Sequence, residues 1–301
     1  MDITLGPAQR ELRGLVRDQL ADVVPDDPHA VWKKLAATGL VELALPADQG
    51  GLGLGHADLC LVHEELGARL CDGRFVRGAH VVLDLWAPDS AAVAELRRRT
   101  PAVDAGRVVP LGPAPHDGPR PEVVVDVADG NRRWEPATGE SEVDTSPVSA
   151  DVVDAALHRD RVRGAAYHVG VARRAVELAA DRVATRLLGG RPLVERQASA
   201  HRLARAAIAV ELARVEVWEA ACALDAGVDR HLSRTALATA VEAAITAAHA
   251  VVQLHGAAGT SDPAVGAVYR AAYGAVDVWG PPSVLWRAAA DERHGVEGVA
   301  A

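Results

Sequence analysis

Cysteine, phenylalanine and lysine are nearly missing from this chain of 301 residues. The three cysteines, Cys60, Cys71 and Cys222, are an odd number with no C-x-x-C spacing. They point to neither a disulfide framework nor a zinc site, and no metal is expected. Phe75 is the only phenylalanine, and Lys33 and Lys34 are the only lysines; arginine supplies the remaining cations, which is a compositional bias more than a functional sign. Clustered positive charge is also lacking. The net charge of -9 is spread along the chain, which argues against nucleic-acid binding, because phosphate backbones need grouped cations. Met1-Asp2-Ile3-Thr4 has neither the basic nor the apolar region of a signal peptide. The uncharged run from Ala243 to Gly259 holds too much Ala, Gly, His and Gln for a membrane span, so a cytoplasmic protein with no membrane partner is expected.

What is present is helical periodicity at both ends. Length alone allows two domains or one large one with a substantial core. From residue 7 to about 86 the pattern is helical: Pro7 sits where a first turn tolerates it, and Leu12, Leu15 (or Val16) and Leu20 share a face. A second helix is expected from Val31 to Leu40 with Gly39 near its end, and a third from His56 to Leu70, with Leu59, Val62, Leu66 and Leu70 at helical spacing. Between them Leu45-Pro46-Ala47-Asp48-Gln49-Gly50-Gly51-Leu52-Gly53-Leu54-Gly55 reads as a tight turn entering a helix; a phosphate-binding loop would follow a strand and carry a Lys. The stretch from about Asp89 to Ser149 is rich in Pro, Gly and Asp, with candidate strands at Arg107 to Leu111 and Glu122 to Val127, the latter closed by the turn dipeptide Asp129-Gly130. Five prolines between 110 and 121 oppose a long regular sheet there.

From Ala155 onward helices return. Val169, Ala172, Val176, Ala179 and Val183 form one apolar stripe, with Arg173, Arg174, Glu177 and Asp181 opposite. Leu203, Ala207, Val210, Val217, Ala221 and Leu224 form a second, and Leu237, Val241, Ala244, Ala248 and Val252 a third. Small side chains let helix axes approach closely, and the pattern predicts an antiparallel four-helix bundle that continues across a subunit interface.

Several strings go further. Gln253-Leu254-His255-Gly256-Ala257-Ala258-Gly259, Tyr269-Arg270 and Val278-Trp279-Gly280-Pro281-Pro282-Ser283 resemble the end of an acyl-CoA dehydrogenase, where Q-x-H-G-G-x-G precedes Y-R-D-A-K-x-x-x-I-Y-E-G-T-S. L-P-A-D-Q-G-G-L-G-L-G followed by His63-Glu64-Glu65-Leu66-Gly67 is similar to the same family's N-terminal pattern, and Arg186-Leu187-Leu188-Gly189-Gly190-Arg191-Pro192 with Gln197 to its R-x-x-F-G-x-P and Gln. The fold implied is mainly α: an N-terminal helical domain (1–88), a reduced β-rich middle segment (89–150) lacking the family's L-T-E-P-x-x-G-S-D entry, and a C-terminal helical bundle (151–301).

The resemblance also implies residue roles. The family's usual base, a Glu, falls on Trp279, and an indole cannot take an α-proton; the T-S that holds the flavin falls on Pro281-Pro282. Asp160-Arg161 falls on the second base position, which makes Asp160 the candidate base, the other reading being a solvated Asp near a helix start. Arg186, Gln197, Gln253 and Gly256 match positions that reach across to a neighbour's FAD, while Gly189 replaces a Phe and Ala257 a Gly. His255 reads as an ordinary bundle histidine. Kept positions serve a neighbour's flavin and lost ones serve the chain's own. That division implies a degenerate partner subunit of a heteromeric acyl-thioester α,β-dehydrogenase, sharing FAD with an acyl-CoA dehydrogenase-like chain and acting on a CoA or carrier-protein thioester. Two alternatives stay open. One is an FAD-free homodimer doing cyclisation or proton transfer in a secondary pathway, with Asp160 or His168 as acid or base; the other is a structural helical scaffold.

Overall fold

A computed structural model describes residues 5–25, 27–40, 42–47, 51–72, 74–86, 107–108, 123–128, 131–136, 144–147, 149–227 and 232–294. Four helices come first: α1 (Pro7–Gln19), α2 (Pro28–Ala37), α3 (His56–Ala68) and α4 (Arg74–Trp86). Proline opens α1 and α2 in the first turn, where its missing N–H costs nothing, and the Asp27 carboxylate caps α2 by accepting from the Ala30 amide at 3.0 Å. On α1 the core position is Val16, fully buried, while Leu15 points outward. The second helix starts three residues earlier than its apolar pattern does, because Asp27-Pro28 is its cap and first turn. The third ends at Ala68, two residues before the expected Leu70, which instead takes a left-handed φ of 56°. Residues Asp48, Gln49 and Gly50 of the glycine-rich turn lie outside the described residues.

The middle stretch forms a small sheet of four strands in the order β1-β2-β3-β4: β1 (Arg107–Val108), β2 (Val123–Ala128), β3 (Asn131–Pro136) and β4 (Asp144–Pro147). The β1 strand runs parallel to β2, and the remaining pairs are antiparallel. Pairing of Ala128 with Asn131 puts the β2–β3 connection at Asp129-Gly130, itself outside the described residues. The expected extension of β1 from Val109 to Leu111 also lies outside them.

The second half is α5 (Ala150–Thr185), a two-stranded hairpin of β5 (Leu187–Leu188) and β6 (Arg191–Pro192), then α6 (Gln197–Asp225), α7 (Leu232–His255), α8 (Pro263–Trp279) and α9 (Pro282–His294). Val169, Ala172, Ala179 and Val183 of α5 pack with Val210, Val217 and Ala221 of α6 and with Leu237, Val241, Ala244 and Ala248 of α7 in one core. Alanine is the commonest residue in it, so axis-to-axis proximity replaces side-chain volume as the source of dispersion contact. By length and composition α7 is apolar enough to cross a membrane, yet most of that stretch is buried in the bundle.

The N-terminal helices have a second core of Val16, Leu20, Val31, Leu35, Leu59, Val62 and Leu66, joined to the first across α3 and α5. Here two glycines matter. A Cβ on Gly67 would lie 1.9 Å from the Tyr167 carbonyl oxygen, and one on Gly170 2.0 Å from that of Glu64. The helices cross backbone on backbone, which is why α3 is buried on all sides. At its N-terminus α3 is capped from the far end of α6: the Asp225 carboxylate accepts from the amides of His56 (2.6 Å) and Ala57 (3.1 Å).

Candidate functional site

Asp160 and Trp279, 119 positions apart in the numbering, come together through a residue that the sequence did not single out. Arg77, in the first half of α4, donates Nε–H to Asp160 Oδ1 at 2.8 Å and Nη2–H to Asp160 Oδ2 at 2.6 Å. Its guanidinium also lies 4.2 Å from the centroid of the Trp279 ring. The indole itself rests on α5, close enough that a Cβ on Gly164 would meet Trp279 Cζ2 at 2.9 Å. Asp160 is thus the foot of a three-layer stack of carboxylate, guanidinium and indole. It is only 1% exposed and lies in the third turn of α5, so the reading as a solvated Asp near a helix start is overturned.

This stack uses up both oxygens of Asp160. A bidentate Arg–carboxylate pair offers planar, charge-assisted bonds, and breaking it inside the protein strands a buried charge. Any action of Asp160 as a base would first have to open that pair.

The surroundings are polar and enclosed. His168, one turn further along α5, donates from Nδ1 to the Gly164 carbonyl at 2.7 Å; burial lowers its pKa to about 4 against that bond, with the Arg77 charge helping. His63 and His80 share a proton at 2.9 Å (Nε2 to Nδ1), both buried, and His63 is held well below the usual imidazole range by burial and then by His80, Arg163 and Arg77. Arg163, 1% exposed, pairs with Asp84 at 2.6 Å, and Arg159 reaches the same carboxylate at 3.3 Å. His63 and His168 are thus neutral at pH 7, and the Asp84 and Asp160 carboxylates are paired. Among the described residues no three His, Cys, Asp or Glu side chains converge as a metal site requires.

The other set of sequence candidates lies at the far end of the bundle. Arg186 follows the last residue of α5, and its Nη1–H donates to the His255 carbonyl at 2.8 Å, closing the C-terminus of α7. Gly256 comes next with φ 65°, and a Cβ on it would sit 3.1 Å from Arg186 Nη1; glycine therefore supplies both the left-handed turn and the passage for the guanidinium. The structure brings Arg186, His255 and Gly256 together. Gln253 is exposed on the last turn of α7, and Gln197, also exposed, opens α6 just after the hairpin. Buried His255 donates from Nδ1 to Val251 O at 2.8 Å, a histidine satisfied by its own helix. Gly189 and Gly190, both with positive φ, make the two-residue turn of that hairpin, a conformation closed to Phe.

These residues fit one end of a dinucleotide cofactor and not the other. Arg186 is half-buried with one N–H committed to the His255 carbonyl, and the Gln253 amide faces outward, a donor set suited to diphosphate and adenosine. At the ring-binding position Pro281 and Pro282 have neither a hydroxyl nor an N–H, and Pro282 opens α9. Neither proline can donate to a flavin.

The signature of the acyl-CoA dehydrogenase C-terminal domain matches residues 150–289, and that of the acyl-CoA dehydrogenase N-terminal domain residues 7–99. Acyl-CoA dehydrogenase IpdE2 of Mycobacterium tuberculosis is 27% identical over 252 residues, 75% of this chain and 74% of that protein. Among solved structures, a variant of the Tcur3481-Tcur3483 steroid ACAD superposes with a TM-score of 0.80 at 22% identity, covering 97% of this chain and 99% of that one. The ChsE4-ChsE5 complex from Mycobacterium tuberculosis follows with a TM-score of 0.74 at 22% identity, covering 99% and 100%.

Proposed function

Because this chain belongs to the acyl-CoA dehydrogenase family, we propose that it is the non-catalytic partner subunit of a heteromeric, flavin-dependent acyl-thioester α,β-dehydrogenase. The observation that carries this reading is the contrast between its two candidate regions. Where a catalytic chain needs a free carboxylate, this one has an indole stacked on an arginine that holds both oxygens of Asp160. Where a chain meets a neighbour's cofactor, the donors are present and accessible. Two structural neighbours, the Tcur3481-Tcur3483 ACAD and the ChsE4-ChsE5 complex, are named as assemblies of two different chains, which supports a partner of the same fold.

When bound, FAD would supply hydride acceptance for α,β-dehydrogenation of the thioester, and the α-proton would be taken by a carboxylate of the partner chain. The present chain binds and orients. Arg186 would offer the diphosphate the N–H groups it does not give to the His255 carbonyl, Gln253 would offer its amide to the adenosine half, Gly256 would leave room for the approach, and Gln197 would add a further donor. Each is an anion- or purine-facing donor set on a rigid helix end, so holding the cofactor needs no rearrangement of the bundle.

The test is flavin retention by the purified two-chain complex. Arg186→Ala removes one hydrogen bond to the His255 carbonyl and nothing else among the described contacts, so the helical content stays the same while bound flavin per complex falls. Unchanged flavin retention sinks the assignment.

A further inference from the structure

Outside both regions the molecule carries a basic cavity that the proposed function does not use. It lies on α1, has a volume of about 340 Å³, and is lined by Leu5, Arg10, Arg13, Gly14 and Arg17. The three arginines stand at i, i+3 and i+7, one face of a helix, and Gly14 between them leaves the cavity open: a Cβ built there meets nothing within 4 Å. Among the described residues no carboxylate lines it.

The nearest negative charge lies behind the arginines and is already shared. Glu65, 2% exposed on α3, accepts from Arg13 Nε at 2.6 Å, from Arg17 Nε and Nη2 at 3.3 Å, and from Arg173 Nη2 at 2.8 Å. Glu64 serves Arg173 at 2.8 Å and Arg214 at 3.2 Å, with Arg13 Nη2 at 3.8 Å. Burial pushes the Glu65 pKa up, but Arg173, Arg13 and Arg17 outweigh it and hold the group below the carboxylate range, so it stays charged and saturated. Arg10 bonds only the Leu5 carbonyl among the described residues. Arg13 is fixed by Glu65 through Nε and Arg17 through Nε and Nη2, while all three arginines line the cavity. Two of the three guanidiniums are held in place before any ligand arrives, which is the preorganisation that planar, bidentate anion recognition needs.

We propose that this cavity is a binding site for a phosphorylated small molecule, with the phosphate or diphosphate group held by Arg10, Arg13 and Arg17 and the remainder against Leu5. Forked guanidinium donors match phosphate oxygens, and the volume admits a diphosphate with part of an ester. The same chemistry is offered by inorganic pyrophosphate and by a diphosphate ester, and the experiment separates them.

Pyrophosphate and ADP are titrated separately into the full-length protein by calorimetry, at constant ionic strength set with KCl because exposed guanidiniums are screened by salt. Saturable one-site binding of either that persists in Arg186→Ala supports the site, and the tighter probe identifies the source; binding lost in Arg186→Ala belongs to the other region and counts against it. Arg10→Ala should weaken that binding about tenfold, the loss of one charge-assisted contact. Gly14→Leu should abolish it by filling the cavity, while leaving every arginine in place and favouring the helix. Arg205→Ala, on exposed α6, should change nothing. Absence of saturable binding by both probes, or binding that survives Arg10→Ala and Gly14→Leu unchanged, overturns the proposal.

Discussion

The Arg77–Asp160–Trp279 stack and the Arg186–His255–Gly256 corner are both an arginine meeting the bundle, and they are built for opposite ends. In the first, the guanidinium spends its Nε–Nη2 fork on a buried carboxylate under an aromatic lid, and both carboxylate oxygens are taken. In the second, it gives one N–H to a helix-terminal carbonyl and keeps the others. Energetically the first ties α4 to the bundle and, under the proposed function, the second serves recognition; on that reading a position that the family resemblance assigns to catalysis works here as a fastener between the N-terminal helices and the bundle.

If that contrast is right, variants in the two regions should separate in stability. Arg77→Ala has the largest expected effect, about 3–5 kcal/mol in urea unfolding, because it leaves Asp160 charged and unpaired at 1% exposure. Removing both partners, in Arg77→Ala with Asp160→Ala, should recover part of that loss; a double variant worse than the sum would show that the pair is not the source. Trp279→Ala should cost about 2–3 kcal/mol through the lost packing on Gly164 and the lost cation–π contact, read in the same unfolding curves.

Acid provides a third test of the inner region. His168 is neutral in the fold, with a pKa of about 4, against roughly 6.5 for an unfolded histidine. Between those values the unfolded chain binds the extra proton, so stability is full above about pH 6.5 and falls as the pH drops toward 4. The contribution lost by pH 5 is on the order of 2 kcal/mol, and buried His63 adds in the same direction. His168→Gln should flatten this slope in unfolding measured from pH 7.5 to 5. Smallest of all is Arg186→Ala, about 1 kcal/mol or less for a single bond to a neutral carbonyl, even though it is the variant expected to shed flavin from the complex.

How much of this was legible in the sequence differs between the regions for a physical reason. The stripes on α5 and α7 follow from helical period alone, and on α1, which packs against the rest by one face, Val16 takes the buried position and Leu15 the exposed one. Arg186 and Gly256 were visible because both sit in strings that resemble family motifs, not because local spacing marks them. Arg77 was not, since its partner Asp160 lies 83 residues away and nothing near Phe75-Val76-Arg77 marks it. Glu64 and Glu65 read as a motif, but their burial depends on arginines from α1, α5 and α6 that no local pattern ties to them. The strand β3 escaped as well, because Asn131-Arg132-Arg133-Trp134-Glu135-Pro136 has no alternation and is extended by pairing with β2.

The central claim is that this chain holds a flavin only in company. The direct measurement is affinity purification from the native host, with subunits identified and flavin quantified on the same sample, beside the chain expressed alone. The account predicts a second acyl-CoA dehydrogenase-like chain and bound flavin in the first preparation and a colourless protein in the second. A colourless assembly made of this chain only, from the native host, would contradict it.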